Sequence, residues 1–347
     1  MKKNLSSFPD DSTDAGMPEE DLWFLPGPAE REPDDLPPGP RAEPAECHQI
    51  EEWAKAEATH AAKLARVAGR LGALDERLKR GPEGWRHRLA LIEASELSWF
   101  AGDRISTDRL ALWIALRLSG AHEDATALAR VSWAVRRLSG GPGPLQELGA
   151  FLGRHELTTT DTETELFGDR AAGWLDVMEA GTHLHPISRA CVGYHIWSLA
   201  GLSLSGDRIE AVVTASRIAT SEGTTAVFAP LAMGGAGGLR AGGPPEVRLL
   251  RWLDGMESAT LTAMRHLDEI EAWSARAAAA MAPLSGRTPK LLRAVLADWP
   301  LVSAPMAEQI TGVSRAAVQR NMTWMQDHGL VREVTGQGRF RMWRAVV

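Results

Sequence analysis

The stretch EEWAKAEATHAAKLARVAGRLGALDERLKR, residues 51–80, constrains the fold most strongly. Its apolar residues Leu64, Val67, Leu71, Leu74 and Leu78 step by three and four, which gathers them on one stripe of a helix and scatters them over both faces of a strand. The residues between them (Ala, Lys, Arg, Glu) are good helix formers. Such a stripe has to be covered by other elements, and the text that follows supplies more helices. GPEG at 81–84 breaks the first one, and WRHRLALIEASELSWF forms a second that ends at Ala101-Gly102. Ser106-Thr107-Asp108 offers a cap for RLALWIALRL, which Gly120 closes; EDATALARVSWAVRRL then runs to the Gly-Gly-Pro-Gly-Pro at 140–144. RLLRWLDGMESATLTAMRHLDEIEAW opens a long helix over roughly 246–282. Alternating β-branched runs hardly occur before residue 330. The fold class is therefore all-α, a helical domain over 48–283 followed by a C-terminal winged helix-turn-helix over 284–347.

Residues 1–47 are a different kind of text. Residues 1–46 hold nine prolines and twelve acids against four Lys and Arg, which predicts a disordered acidic tail. One apolar island, Leu22-Trp23-Phe24-Leu25, is read as a contact with the protein's own body, with a partner-docking peptide as the alternative. The two cysteines, Cys47 and Cys191, exclude a disulfide framework and a cysteine zinc site. No apolar run approaches the roughly 20 residues of a membrane span, and no signal peptide is readable. The expected setting is cytoplasmic, without a membrane partner.

Several suggestive features receive plain readings. APLAMGGAGGLRAGGPPE, residues 229–246, has no Gly-Lys-Ser/Thr and no preceding strand, so it is taken as a flexible surface loop and not a phosphate cradle. The tryptophans Trp85, Trp99, Trp113 and Trp133 are taken as core anchors. Glu93 and Glu96 are taken as the polar edge of their helix, with buried acids of raised pKa as the alternative. ELTTTDTETEL, residues 156–166, is taken as a polar loop. His183, His185 and His195, with Glu179 nearby, meet no recognised metal-ligand spacing, and Arg189 would place a cation among them. No Ser-His-Asp arrangement follows from spacing. No catalytic residue, metal or cofactor is assigned.

The chemistry lies at the C-terminal end. The chain carries a net charge of −7, yet residues 284–347 hold nine Lys and Arg against four Asp and Glu. Thr288-Pro289 starts a helix with Leu291, Leu292, Val295 and Leu296 on its apolar face, ending at Trp299-Pro300. PMAEQITG follows with Ala307 and Ile310 inward, and only Val313 separates Gly312 from Ser314, the N-cap of a third helix. That order is a helix-turn-helix. In the third helix Val318, Met322 and Met325 form the buried stripe. Ala316, Gln319, Arg320 and Thr323 face outward with Arg315 at the edge, and Arg and Gln are the side chains that fork onto guanine and adenine in the major groove. LVREV and RFRMWRAVV flank Thr335-Gly336-Gln337-Gly338 as a hairpin wing, placing Arg339 and Arg341 to hold the DNA backbone. Arg332 and Arg344 are read as solvated strand positions. The candidate DNA-binding set is Ser314, Arg315, Gln319, Arg320, Thr323, Arg339 and Arg341.

The segment ITGVSRAAVQRNMTWMQDHGLVREVTGQGRFRMWRA resembles the C-terminal helix-turn-helix DNA-binding domain of a bacterial family. Its members, found largely on plasmids of plant-associated α-proteobacteria, join that domain to an N-terminal helical domain without an assigned activity. ALDERL and RLALIEASELSWFAGDRISTDRL resemble that helical domain, so the likeness spans roughly residues 50–347. It implies binding to double-stranded DNA. The order of helices first and winged helix last is also similar to Fic-type nucleotidyl transferases, whose signature is His-Pro-Phe, an acid and a Gly-Asn-Gly-Arg cradle. Here His185-Pro186 is followed by Ile187-Ser188-Arg189, with neither acid nor glycine cradle. The expected function is a homodimeric transcriptional regulator, whose helical domain would dimerise, sense a small molecule or bind a protein effector. The rival is a diverged Fic-like nucleotide-handling enzyme with an autoregulatory DNA-binding tail and a polar pocket around His185 and Arg189.

Overall fold

The computed structural model describes residues 50–347 apart from 117–123, 155–160, 204–206, 221–225 and 337–340, and the backbone alone of 116 and 161–166. The acidic segment 1–47, its Leu22–Leu25 island and Gly120 lie outside the described residues. The elements are α1 (Ile50–Thr59), α2 (Ala61–Arg80), α3 (Gly84–Ala101), α4 (Thr107–Leu116), α5 (Ala125–Ser139), α6 (Leu148–Leu152), α7 (Asp161–Ala180), α8 (Pro186–Trp197) and α9 (Arg208–Ile218). A 3-10 turn (Ala236–Leu239) precedes α10 (Pro245–Ala280), and α11 (Thr288–Asp298), β1 (Val302–Ser303), α12 (Ala304–Thr311), α13 (Arg315–Asp327), β2 (Val331–Glu333) and β3 (Met342–Ala345) complete the chain. The fold is all-α with a small wing. Helix α7 overturns the loop reading of its first residues, Asp161–Leu166: their backbone is helical.

The stripe on α2 is buried throughout, with Val67 fully enclosed. It faces α10, and the two helices run parallel, because the ion pairs between them climb both in the same direction. Arg66 and Arg70 meet Glu257 at 3.0 and 3.1 Å, and one helical stretch later Arg77 meets Asp268 and Glu271, each at 2.7 Å. These pairs lie at the surface and fix register more than they stabilise. Helix α10 is the long element of the molecule. It spans 36 residues, roughly 54 Å, and its buried residues Leu249, Trp252, Leu253, Met256, Ala259, Thr260, Ala263, Leu267, Ile270, Trp273 and Ala277 keep to one face.

The glycine-rich segment before α10 differs from the expected flexible loop. Residues 226–233 are almost wholly buried, and only the part beyond them approaches solvent. The glycines serve contact with α10. A Cβ on Gly255 would lie 2.8 Å from the Cα of Gly238, and one on Gly234 would lie 2.6 Å from the amide nitrogen of Ala259. Backbone meets helix here with no room for a side chain.

The same segment is anchored by an acid. Glu93 of α3 is fully buried, and its carboxylate accepts from the N–H groups of Leu231 and Ala232 (both 2.8 Å) and Met233 (3.1 Å). Burial pushes its pKa up to about 7 against the three donors that hold it down. Glu96 remains exposed as the polar edge. A second buried tether is Arg217 of α9, which donates to the carbonyls of Arg137, Gly140 (2.8 Å), Gly141 (2.8 Å) and Pro142 (3.3 Å) and so wraps the turn after α5. Trp85 is a core anchor, and Trp113 and Trp133 are half-buried. Trp99 is not: the residue is 55% exposed, with the Arg104 guanidinium 6.0 Å from its ring centroid.

The Glu93 carboxyl yields a pH prediction. Its folded-state pKa lies above the ordinary 4.5, so the folded state holds the proton more tightly. The stability this group contributes is complete below about 4.5 and is lost as pH rises through about 7, up to about 3 kcal/mol. Glu93→Gln removes that titration. Melting temperatures measured between about pH 5 and pH 8 should therefore fall less steeply in the variant than in the wild type, and parallel curves refute the assignment.

Candidate nucleic-acid interface

The C-terminal module is built around a tight turn. Helix α12 is opened by Ser303, whose Oγ accepts from Met306 N–H (3.3 Å), and it closes at Gly312, whose φ of 65° suits glycine. Ala307 is fully buried, but Ile310, expected inward, is 50% exposed; the short helix has only one turn against the core. After the buried Val313, Ser314 has the backbone of an N-cap (φ −60°, ψ 145°), yet its hydroxyl makes no capping bond. Ser314 is thus the N-cap residue by position, as expected, but its hydroxyl stands exposed at the head of α13.

Helix α13 has two distinct faces. Val318, Met322 and Met325 are fully buried. Arg315, Ala316, Gln319, Arg320 and Thr323 are all exposed on the opposite side. The side chains of Gln319, Arg320 and Thr323 have no hydrogen-bond or ion-pair partner among the described residues. Arg315 is engaged: Glu308 Oε2 accepts from its Nε (2.8 Å) and pairs with its Nη2 (2.7 Å).

Behind α13 the sheet has the order β1-β3-β2, antiparallel throughout, with Val302 opposite Trp343 and Arg332 opposite Arg344. Strand β1 was not foreseen, since two residues show no alternation. Burial along β3 does not alternate either, because Met342, Trp343 and Ala345 are all buried, Trp343 despite sharing Arg341's side. The turn after β2 is organised by Glu333. Against the upward push of partial burial, donation from the Thr335 hydroxyl, Thr335 N–H (2.7 Å) and Gly336 N–H (3.1 Å) holds its carboxyl below the usual value. Gly336 supplies the positive φ, 63°. Arg339 and Gly338 lie outside the described residues. Arg341 donates to Gln326 Oε1 (3.2 Å) and stacks 5.1 Å from the Trp343 centroid, so it lies along the module's own surface.

The module is joined to the helical body by polar and buried contacts. Trp273 Nε1 of α10 donates to the carbonyl of Leu330 (2.8 Å) in a buried site. The last carbonyls of α11, which lack partners within the helix, accept from Trp85 Nε1 (Ala297, 3.2 Å) and Arg88 Nη2 (Leu296, 3.1 Å), while Asp298 accepts from the Gly84 amide (2.6 Å). Arg332 is exposed, as a solvated strand position would be, and Arg344 is half-buried, but neither stands alone. Both pair with Asp108 of α4, at 3.0 and 3.2 Å, which relieves the repulsion between two arginines placed directly across the strands.

The histidines do not form a site. His183 is exposed, and His185 caps α8 by accepting from Ile187 N–H (3.2 Å). His195 is buried against Trp53; burial first, then Arg248 and Arg251, lowers its pKa to about 3. Arg189 donates to the Met178 carbonyl (2.8 Å). No group of three or more His, Cys, Asp or Glu among the described residues is placed to hold a metal ion. No described helix is long and apolar enough to cross a membrane.

Comparison with known families agrees with the geometry at this end. Residues 288–346 match the family described as HTH DNA binding domain, so the chain carries such a domain at its C-terminal end. The match concerns the domain and says nothing of plasmid or organism. A comparison with curated proteins returns no match. Among solved structures, the crystal structure of a Fic family protein from Desulfovibrio desulfuricans G20 aligns over 84% of this chain and 96% of that one, at 14% identity and a TM-score of 0.44.

Three residues that shape this surface escaped the sequence reading: Glu308, Gln326 and Asp108. Glu308 stands seven residues before its partner, across a turn that no helical period spans. Asp108 lies more than two hundred residues from the arginines it holds, and its position beside a helix start suggests only a cap. The two faces of α13 give a direct check. Met322→Ala should cost about 2–4 kcal/mol of stability by leaving a cavity, and neighbouring Thr323→Ala should stay within about 0.5 kcal/mol, both read by chemical denaturation.

Proposed function

We propose that this protein is a transcriptional regulator that reads duplex DNA with α13. The carrying observation is a helix whose buried stripe fixes it after a tight turn, while Gln319, Arg320 and Thr323 stand exposed and without partners on the other side. Arg320 and Arg315 are assigned to guanine edges and Gln319 to adenine or guanine, because these side chains offer the paired donors that major-groove edges accept. Thr323 and the Ser314 hydroxyl are assigned to phosphate or base contacts along the same groove. Arg339 and Arg341 are assigned to the DNA backbone, Arg341 after exchanging its Gln326 contact for a phosphate.

The active form is proposed to be a homodimer on a two-fold site, since a single short helix reads too few base pairs for selectivity. The helical body is assigned no catalysis and no cofactor. His185 and Arg189, the residues a nucleotide-handling reading would need, are engaged in a helix cap and a backbone contact. The body is instead assigned to dimerisation or to an effector, either a small molecule or a protein.

Full-length protein titrated against a duplex enriched from a random pool tests this reading. Affinity should fall about a hundredfold between roughly 50 and 200 mM salt, and Arg320→Ala should weaken binding about tenfold. Two chains should bind each duplex. Affinity that ignores salt, or that survives Arg315→Ala together with Arg320→Ala, sinks the proposal.

A further inference from the structure

The pair between Glu308 and Arg315 crosses from α12 to α13 on the side where α13 is exposed. Its geometry is specific. One carboxylate oxygen takes the Nε–H and one Nη2–H of the guanidinium, at 2.8 and 2.7 Å. The remaining N–H groups, both on Nη1 and the second on Nη2, include the outer fork that matches N7 and O6 of guanine. The turn beneath the pair is rigid: Ala307 and Val318 are fully buried, Val313 nearly so, and the Thr311 hydroxyl bridges the Ala307 carbonyl (2.6 Å) and the Val313 amide (3.2 Å). Both partners are substantially exposed, so the pair adds little to folding stability.

We infer that Glu308 is a positioning residue for base recognition: it holds Arg315 from behind with its guanine-matching edge outward, and it makes binding more selective. This rests on the reading of α13 as the base-contacting helix. Two effects act together. The pair restricts rotamers of a long side chain before DNA arrives, which lowers the ordering cost at a cognate site. It also neutralises Arg315 next to the duplex, so a sequence without guanine at that position gains little phosphate attraction from this arginine. Arg320, which has no acid partner among the described residues, keeps its charge for any sequence.

The test is a double-mutant cycle in the full-length chain. Wild type, Glu308→Gln, Arg315→Ala and the double variant are titrated by fluorescence polarisation against a duplex enriched by the wild type from a random pool and against a shuffled duplex of equal length. Glu308→Gln should lower the ratio of enriched to shuffled affinity about tenfold, partly through tighter binding to the shuffled duplex. In the Arg315→Ala background the same change should move the ratio by less than about twofold, and melting temperatures should be unchanged. An equal loss on both duplexes, an unchanged ratio, or the same effect with and without Arg315 overturns the inference while leaving DNA reading by α13 intact. Failure of the wild type to enrich any sequence overturns that reading and this inference with it.

Discussion

The buried face of α10 is the constraint on which the other elements depend. A single stripe from Leu249 to Ala277 has to be covered along its whole length, and no one neighbour is long enough to do so. Helix α2 covers part of it in parallel, the glycine-rich segment closes against it backbone to helix, and the winged module covers the far end. The buried bond from Trp273 to the Leu330 carbonyl belongs to that cover. Breaking it would leave the indole donor unsatisfied away from water, while the Leu330 carbonyl keeps the Val346 N–H at 3.0 Å; an orphaned buried donor costs more than the bond itself contributes. The DNA-binding module is therefore a packed layer of the same unit as the helical body, with Asp108, Trp85 and Arg88 holding its rear.

Charge follows a similar logic. The basic character of the C-terminal end is visible in composition, but most of its described arginines are partnered in the folded chain. Arg332 and Arg344 share Asp108, Arg315 has Glu308, and Arg341 lies between Gln326 and Trp343 near Glu333. A surface balanced in this way attracts duplex DNA less indiscriminately than the count of arginines suggests, because phosphate must compete with each existing partner.

Periodicity was the legible part. The α2 stripe, the α10 stripe and the Val318-Met322-Met325 face of α13 all appear where steps of three and four place them, and the Gly312 turn follows from one residue's tolerance of positive φ. What escaped has one physical root, that partners distant in sequence leave no local trace. Nothing in residues 229–246 announces that Glu93 will bind their amides, or that Gly238 will meet Gly255, and a glycine needed for close approach looks the same as one needed for flexibility. Ile310 and Trp99 failed in the opposite direction. An apolar side chain in a helix invites burial, but a helix only buries the face its neighbours reach.

The capping of α11 by α3 bears on the order in which the chain acquires structure during synthesis. Trp85 and Arg88 leave the ribosome some two hundred residues before the carbonyls they serve. Once α10 has emerged, the body has an apolar end at Ile270, Trp273 and Ala277 beside those donors without acceptors, a surface that only the last segment completes. The winged module thus arrives onto a waiting template, and an interrupted chain lacking it would carry an adhesive patch and no means of reading DNA.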